Sequence, residues 1–358
     1  MTNGVVQPFV YEPLPARVIF GSGTLARLGE EVERLGLKRV LVLATPAQQS
    51  EAERLAASLG ECAAGVFSGA VMHTPVAVTE RAMAEVAALS ADGIVAVGGG
   101  STIGLGKAIA LRSDLPQIVV PTTYAGSEMT PILGETRSGV KTTQRSPRIL
   151  PETVIYDVEL TLSLPPPLSA TSGINAIAHA VEALYAQDGN PIVSLMAEEG
   201  IAALARALPA IMREPSQRHA RSDALYGAWL CGACLGAVGM ALHHKLCHVL
   251  GGAFDLPHAE THTVILPHAI AYNASSAPDA MKRIARALGT DDAATGIHDL
   301  ARGIGAPRAL RDLGMPESAI EEAAEIATRN PYPNPRPIER DAIRGLIARA
   351  WAGEAPQG

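Results

Sequence analysis

Across residues 1–161 the chain alternates short apolar runs with longer stretches in which apolar residues recur every three or four positions. "RVIFGSG" reads as a short strand running into a glycine turn and "TLARLGEEVERLG" as an amphipathic helix. "RVLVLATP" follows as a buried strand, "AERLAASLG" as a helix and "GIVAVGGGS" as a strand that opens into glycines. "LPQIVVPTTYAGSE" repeats the pattern of a strand ending in small residues. This alternation predicts a parallel sheet with helices on its faces. From about Leu162 the pattern changes to long helical segments with proline and glycine breaks, and strands nearly vanish; the proline run of "LTLSLPPPLS" marks the change. The predicted architecture is an α/β domain over residues 1–161 followed by an all-α domain over 162–358. A chain of 358 residues is longer than one core usually grows, and an apolar fraction of 47% supports two.

Two loops of small residues fall at strand ends, where open α/β sheets bind ligands. Gly98, Gly99, Gly100 and Ser101 precede the helical "TIGLGKAIAL". Glycines let the backbone approach a pyrophosphate, and the helix N-terminus behind them offers unpaired N–H groups and a positive dipole. A tight turn alone uses the same residues, and the spacing is not the G-x-G-x-x-G fingerprint. "PTTYAGSEMTP" adds hydroxyls at Thr122, Thr123 and Ser127 on a loop placed to flank the same nucleotide. Together the two loops predict a dinucleotide-binding domain. At the end of "RVLVLATP", an acidic residue would hold the ribose hydroxyls and repel a 2′-phosphate. Thr45 stands there instead, so NADH and NADPH are both expected to serve.

In the helical half, "LHHKLCHVLGGAFDLPHAETHTVILPH" (residues 242–268) holds six of the ten histidines. His244 and His248 are four apart in a helical segment, and His258 follows a Gly-Gly break and a proline. Asn175 and His179 in "SGINAIAHAVEALYA" repeat the four-residue spacing on an earlier helix. Such spacing turns side chains to one face, so two helices and a loop are expected to converge on one polar site for a metal, proton transfer or an oxyanion. His243, His262 and His268 are read as core or surface histidines outside it.

Composition narrows the classes. A formal net charge of −7 without a long basic run excludes an electrostatic nucleic-acid footprint. Cys231 and Cys234 form a C-x-x-C in an apolar helical run with no second pair to complete a zinc site, and are expected in the core. Leu225 to Leu242 carries no charge over eighteen residues, at the lower limit for a spanning helix; its four glycines favour the closely packed central helix of a bundle. The N-terminal stretch lacks a basic region followed by an apolar one, which makes the cytoplasm the expected compartment and a membrane partner unexpected.

These ordered motifs, from "VIFGSG" through "GGGST", "PTTYAGSEMTP" and the histidine stretch to "NPYPNPRPI", resemble the iron-containing (group III) alcohol dehydrogenase family over almost the whole chain. Within it they resemble the branch that reduces maleylacetate. The resemblance implies an N-terminal dinucleotide-binding domain, an all-helical C-terminal domain, an active site in the cleft between them, and a homodimer. Metal-dependent members use one aspartate and three histidines, and the matching positions are Asn175, His179, His244 and His258. The aspartate is missing, and with it the negative charge on which a divalent ion relies, so metal is expected to be absent or non-essential. If a metal is present, its ligands are His179, His244 and His258. Gly104 is a second departure, at a position where many members have aspartate.

The implied reaction is hydride addition to the conjugated C=C of maleylacetate, giving 3-oxoadipate. His179, His244 and His258 with the Asn175 amide would stabilise the enolate oxygen, and His248 is the candidate proton donor. Arg336, in a proline-fixed loop, is the candidate partner of a substrate carboxylate, with Tyr124 as a further substrate contact. The alternatives are a metal-dependent alcohol or polyol dehydrogenase of the same fold, which Asn175 disfavours, and a dehydroquinate synthase-like lyase that uses NAD without net redox change. A non-catalytic nucleotide sensor would need no histidine cluster.

Overall fold

The computed structural model describes residues 8–14, 16–137 and 140–357, and the chain divides into two compact units. Leu14–Leu164 form one; residues 165–357, with residues 8–13, form the other. The sequence reading set the boundary three residues earlier and placed the N-terminal segment with the first unit. Pro166 opens a helix at a position where the missing N–H costs nothing, so the chain changes character inside the proline run. Residues 1–7, part of the stretch read as lacking an export signal, lie outside the described residues.

The first unit is built on six parallel strands: β1 (Arg17–Gly21), β2 (Val40–Leu43), β3 (Ala63–Phe67), β4 (Gly93–Gly98), β5 (Gln117–Pro121) and, at the end of the unit, β8 (Thr153–Asp157), in the order β1-β8-β5-β4-β2-β3. Helices α1 (Leu28–Arg34), α2 (Gln49–Leu59), α3 (Val76–Ala88) and α4 (Gly100–Ser113) connect them. Strands β2, β4, β5 and β8 are buried at every position, as parallel strands covered on both faces must be. From β2 the chain runs out to β3 and returns with β4 on the other side of β2. The carboxyl ends of β2 and β4 therefore flank the point where the strand order reverses, the usual ligand crevice of an open α/β sheet. The hairpin β6–β7 (Ile132–Arg137, Val140–Arg145) stands apart from this sheet. Strands β3 and β8 and the hairpin extend the predicted pattern; β3 is half-buried throughout and gives no strong apolar signal.

The second unit is helical: α5 (Pro166–Ala183), α6 (Pro191–Arg213), α7 (Arg218–Ala237), α8 (Leu242–Phe254), α9 (His258–Asn273), α10 (Pro278–Leu288), α11 (Ala293–Gly303), α12 (Ala319–Thr328) and α13 (Arg340–Ala352). The apolar run Leu225–Leu242 is not one helix, as the sequence suggested. Helix α7 ends at Ala237, and α8 starts at Leu242 after a bend of 94°. Among the described residues no single helix is long and apolar enough to cross a membrane; the bent pair α7–α8 passes on length and composition. Glycines bring α6 and α7 together: a Cβ on Gly227 would stand 2.9 Å from the Gly200 carbonyl oxygen and 2.8 Å from Leu204 Cγ. Cys231 and Cys234 are buried free thiols on α7. Burial pushes both up, Cys234 to about 12, as inert core thiols require.

Replacing Gly227 by alanine gains about 1 kcal/mol of helix propensity. It also forces a methyl group against backbone that cannot retreat, and overpacking of that kind costs about 1–3 kcal/mol. Gly227→Ala is expected to lower the urea midpoint; an unchanged or raised midpoint means that α6 and α7 separate freely.

Candidate active site

Three adjacent strand ends of the α/β unit form one candidate site. After β2, Thr45 Oγ1 donates to Gln48 Oε1 (3.1 Å), and Gln48 Nε2 donates to Thr122 Oγ1 after β5 (3.2 Å). The Thr122 N–H bonds the carbonyl of Gly98, the last residue of β4 (3.0 Å). Gly98 has φ 152°, and a Cβ there would meet Thr102 Oγ1 at 2.5 Å, so only glycine fits. A Cβ on Gly99 would stand 2.8 Å from the Thr123 methyl group, whereas one on Gly100 would meet nothing within 4 Å. Gly100 and Ser101 open α4, and the space before them suits an oxyanion. Of the predicted dinucleotide contacts, Thr45, Gly98, Gly99, Gly100, Ser101, Thr122 and Thr123 thus gather at one edge of the sheet.

Lys107 holds the neighbouring loop. Its ammonium, buried on α4, donates to the Ser127 and Ile132 carbonyls and to the carbonyl and hydroxyl of Thr130. Burial pulls it down to about 7, opposed by the charge of Glu128. Glu128 is itself pushed up by burial and accepts from the Tyr156 hydroxyl at 2.7 Å. Ser127 therefore contributes its backbone to the loop's anchorage, and Tyr124 is fully buried.

The helical unit carries a candidate site of its own. Asn175, His179 and Glu182 lie on one stripe of α5, and Glu182 is fully buried. Its carboxylate caps α8 from outside: it accepts from the N–H groups of Ala241 (2.9 Å), His243 (2.8 Å) and His244 (3.3 Å). Asn334 accepts from the intervening Leu242 N–H at 3.4 Å. The same Glu182 oxygen that bonds the Ala241 and His244 amides also contacts His244 Nδ1 at 2.7 Å. A carboxylate only accepts, so His244 Nδ1 carries the proton and, with the ring neutral, Nε2 accepts. His179 Nδ1 lies 2.8 Å from His244 Nε2 and is the donor; His179 Nε2 then accepts from the Asn175 amide at 3.5 Å. The sequence of donors runs Asn175 to His179 to His244 to Glu182.

Other histidines gather around this chain. The ring of His248 is 6.3 Å from that of His244, and His262 is 4.3 Å from His258, 5.0 Å from His244 and 6.2 Å from His179. His248 and His258 are exposed, while His179 and His244 are buried. His258 is the first residue of α9, so three helices converge rather than two helices and a loop. The reading of His243 and His262 as bystanders is corrected: both belong to the cluster, with ring centroids 4.8 Å apart. His268, pushed down to about 4 by burial and by Arg349, stands further along α9. Glu182 was missed, although its place three residues after His179 and seven after Asn175 on a helix was the available signal. Arg336 packs its guanidinium 4.3 Å above the Tyr272 ring and donates to the Tyr272 carbonyl at 3.2 Å.

Comparison with known proteins places this geometry. A model described as iron-containing alcohol dehydrogenase matches residues 15–158, and one described as Fe-containing alcohol dehydrogenase family, C-terminal, matches residues 169–351. The chain belongs to the iron-containing alcohol dehydrogenase family. It is 59% identical over 352 residues to a maleylacetate reductase of Rhizobium sp. (strain MTP-10005), covering 98% of this chain and 100% of that one. A maleylacetate reductase of Sphingobium indicum is 60% identical over 348 residues, 97% and 99% of the two chains. The crystal structure of maleylacetate reductase from Agrobacterium tumefaciens matches with a TM-score of 0.95 at 59% identity, over 98% and 100% of the chains.

Glu182→Gln replaces an acceptor of four N–H groups by an amide with one acceptor oxygen. Bonds to a charged group are worth about 1.5–3 kcal/mol each in favourable cases. The variant is expected to lose at least that much stability in urea and to lose turnover. Wild-type stability would remove Glu182 from its capping role.

Proposed function

We propose that the chain reduces maleylacetate to 3-oxoadipate with NADH or NADPH. Identity of 59–60% over nearly the whole chain to maleylacetate reductases carries this reading. In chemical terms, hydride from the nicotinamide adds to the alkene carbon remote from the ketone. Negative charge moves to the ketone oxygen as an enolate, and a proton then adds to the neighbouring carbon. The residues must bind that oxygen and supply the proton. A buried, oriented N–H donor stabilises an oxyanion far better than one in water. The second N–H of the Asn175 amide and the exposed His258 are offered for the oxygen; His179, expected from the sequence to share that task, has its N–H committed to His244 and instead orients the Asn175 amide, with His244 held by Glu182 behind it. His248, exposed and close to His244, is offered as proton donor. Thr45 presents neither a carboxylate to repel a 2′-phosphate nor a cation to demand one, which supports use of both cofactors.

The family name implies a metal, and the donor set at the matching positions lacks the anion on which metal-dependent members rely. Asn175, His179, His244 and His258 include no anion. The adjacent carboxylate, Glu182, is occupied by three backbone N–H groups and His244 Nδ1. A divalent ion there would have three neutral imidazoles and an amide, without the charge that hard and borderline cations favour. The proposed mechanism therefore runs through no metal.

The test is product identification after exhaustive chelation, with maleylacetate and each cofactor. The expected result is 3-oxoadipate, with one NADH or NADPH oxidised per product and no loss of rate from the chelator. A hydroxy acid formed by carbonyl reduction, or turnover lost to chelation and restored by zinc or iron, contradicts the reading.

A further inference from the structure

Behind the Asn175–His179–His244 chain a second group of side chains meets within the helical unit. His243 and Cys247 stand four residues apart on α8 and share a face; His262 reaches them from α9. His243 Nε2 lies 2.9 Å from His262 Nδ1 and 3.7 Å from Cys247 Sγ, and donor atoms of all three residues lie within 4.8 Å of one another. Each residue is at most 1% exposed. None of the three occupies a position that matches a metal ligand of the family.

Hydrogen bonding does not account for burying these two rings. They share one bond, and the outer nitrogens, His243 Nδ1 and His262 Nε2, have no partner. An unpaired buried polar atom is costly, so a pair with two of them calls for another role.

The spacing fits a tetrahedral ion. Zinc bonds of about 2.0–2.1 Å to nitrogen and 2.3 Å to sulfur put nitrogen donors about 3.3 Å apart and nitrogen and sulfur about 3.6 Å apart. The observed 2.9 and 3.7 Å reach those values with shifts of a few tenths of an ångström, and the third pair, His262 with Cys247, lies within 4.8 Å and closes by at most about 1.2 Å through side-chain rotation. Two imidazoles with a thiolate select zinc or cuprous ion over harder cations. The thiolate also provides the negative charge that Asn175 does not.

We propose that His243, Cys247 and His262 form a buried site for a thiophilic closed-shell cation, Zn2+ or Cu+. On binding, the Cys247 thiol releases its proton to solvent. The hydrogen bond between the imidazoles opens, its proton moves to an outer ring nitrogen, and both inner lone pairs turn to the ion. The ion sits beside the catalytic histidines, because the His262 ring packs on those of His258 and His244.

The test uses the full chain, stripped by chelation and titrated with Co2+ alone as a spectroscopic probe for zinc. The expected result is one tightly bound ion per chain, a thiolate-to-cobalt charge-transfer band in the near ultraviolet, and displacement by Zn2+. The band is expected to vanish in Cys247→Ala and to persist in His258→Ala, which removes a matching family ligand instead. Cys247→Ser, of nearly the same volume, reports the same loss if the alanine variant fails to fold. Failure to bind cobalt, binding without the band, or a band that survives loss of Cys247 overturns the proposal. Because the readout is spectroscopic, it stands or falls separately from the reaction proposed above.

Discussion

The contact on which the helical unit's chemistry depends is the one between the Glu182 carboxylate and the first turn of α8. A helix start leaves N–H groups without partners, and α8 starts in the interior after a bend of 94°, where water is not at hand to satisfy them. Ordinary capping uses a serine, threonine, aspartate or asparagine just before the first turn; here that residue is Ala241 and has no side chain to offer. A carboxylate from another helix does the work instead, and the positive end of the helix dipole favours its charge. The bond to His244 Nδ1 follows from the same placement. One group thus fixes where α8 begins, how it is rotated about its axis and which nitrogen of His244 is protonated.

The α/β unit solves a related problem with the opposite charge. Residues 121–131 leave the sheet edge outside regular structure, and Lys107 gathers the carbonyls of Ser127 and Thr130, the Thr130 hydroxyl and the carbonyl of Ile132 just beyond them. In each unit a buried charge with several backbone partners holds a segment that regular secondary structure does not reach. Such groups are expensive to bury alone and become stable when all their hydrogen bonds are made. That condition also makes them rigid, which is what a site for hydride and proton transfer needs from its supports.

The sheet and its loops were legible because their signals are local. Apolar runs ending in glycine place β4 and the start of α4, and strand alternation places the ligand edge of the sheet. The histidine pairs at four-residue spacing pointed to a shared site for the same reason. Other features depend on how the helices are phased against one another, which no single segment states. The run Leu225–Leu242 is apolar enough for one helix, and its break follows from the cap that Glu182 provides at a distance. His262 has the same four-residue relation to His258 that marked the other pairs, yet its place in the cluster depends on α9 lying beside α8. Arg336 reads as the partner of a substrate carboxylate, fixed by its proline-rich loop; no local signal states its hold by Tyr272, 64 positions away in sequence.

The central claim is that a directed chain from Asn175 through His179 and His244 to Glu182 organises the site. Nitrogen-15 NMR of the imidazoles in uniformly labelled, chelator-treated protein tests it most directly, since protonated and bare ring nitrogens resonate far apart. The account predicts a neutral His244 with its proton on Nδ1 and a bare Nε2, and a His179 with its proton on Nδ1. The assignment is confirmed by collapse of the His244 pattern in Glu182→Gln. A His244 protonated on Nε2 alone would reverse the direction of the chain and contradict it.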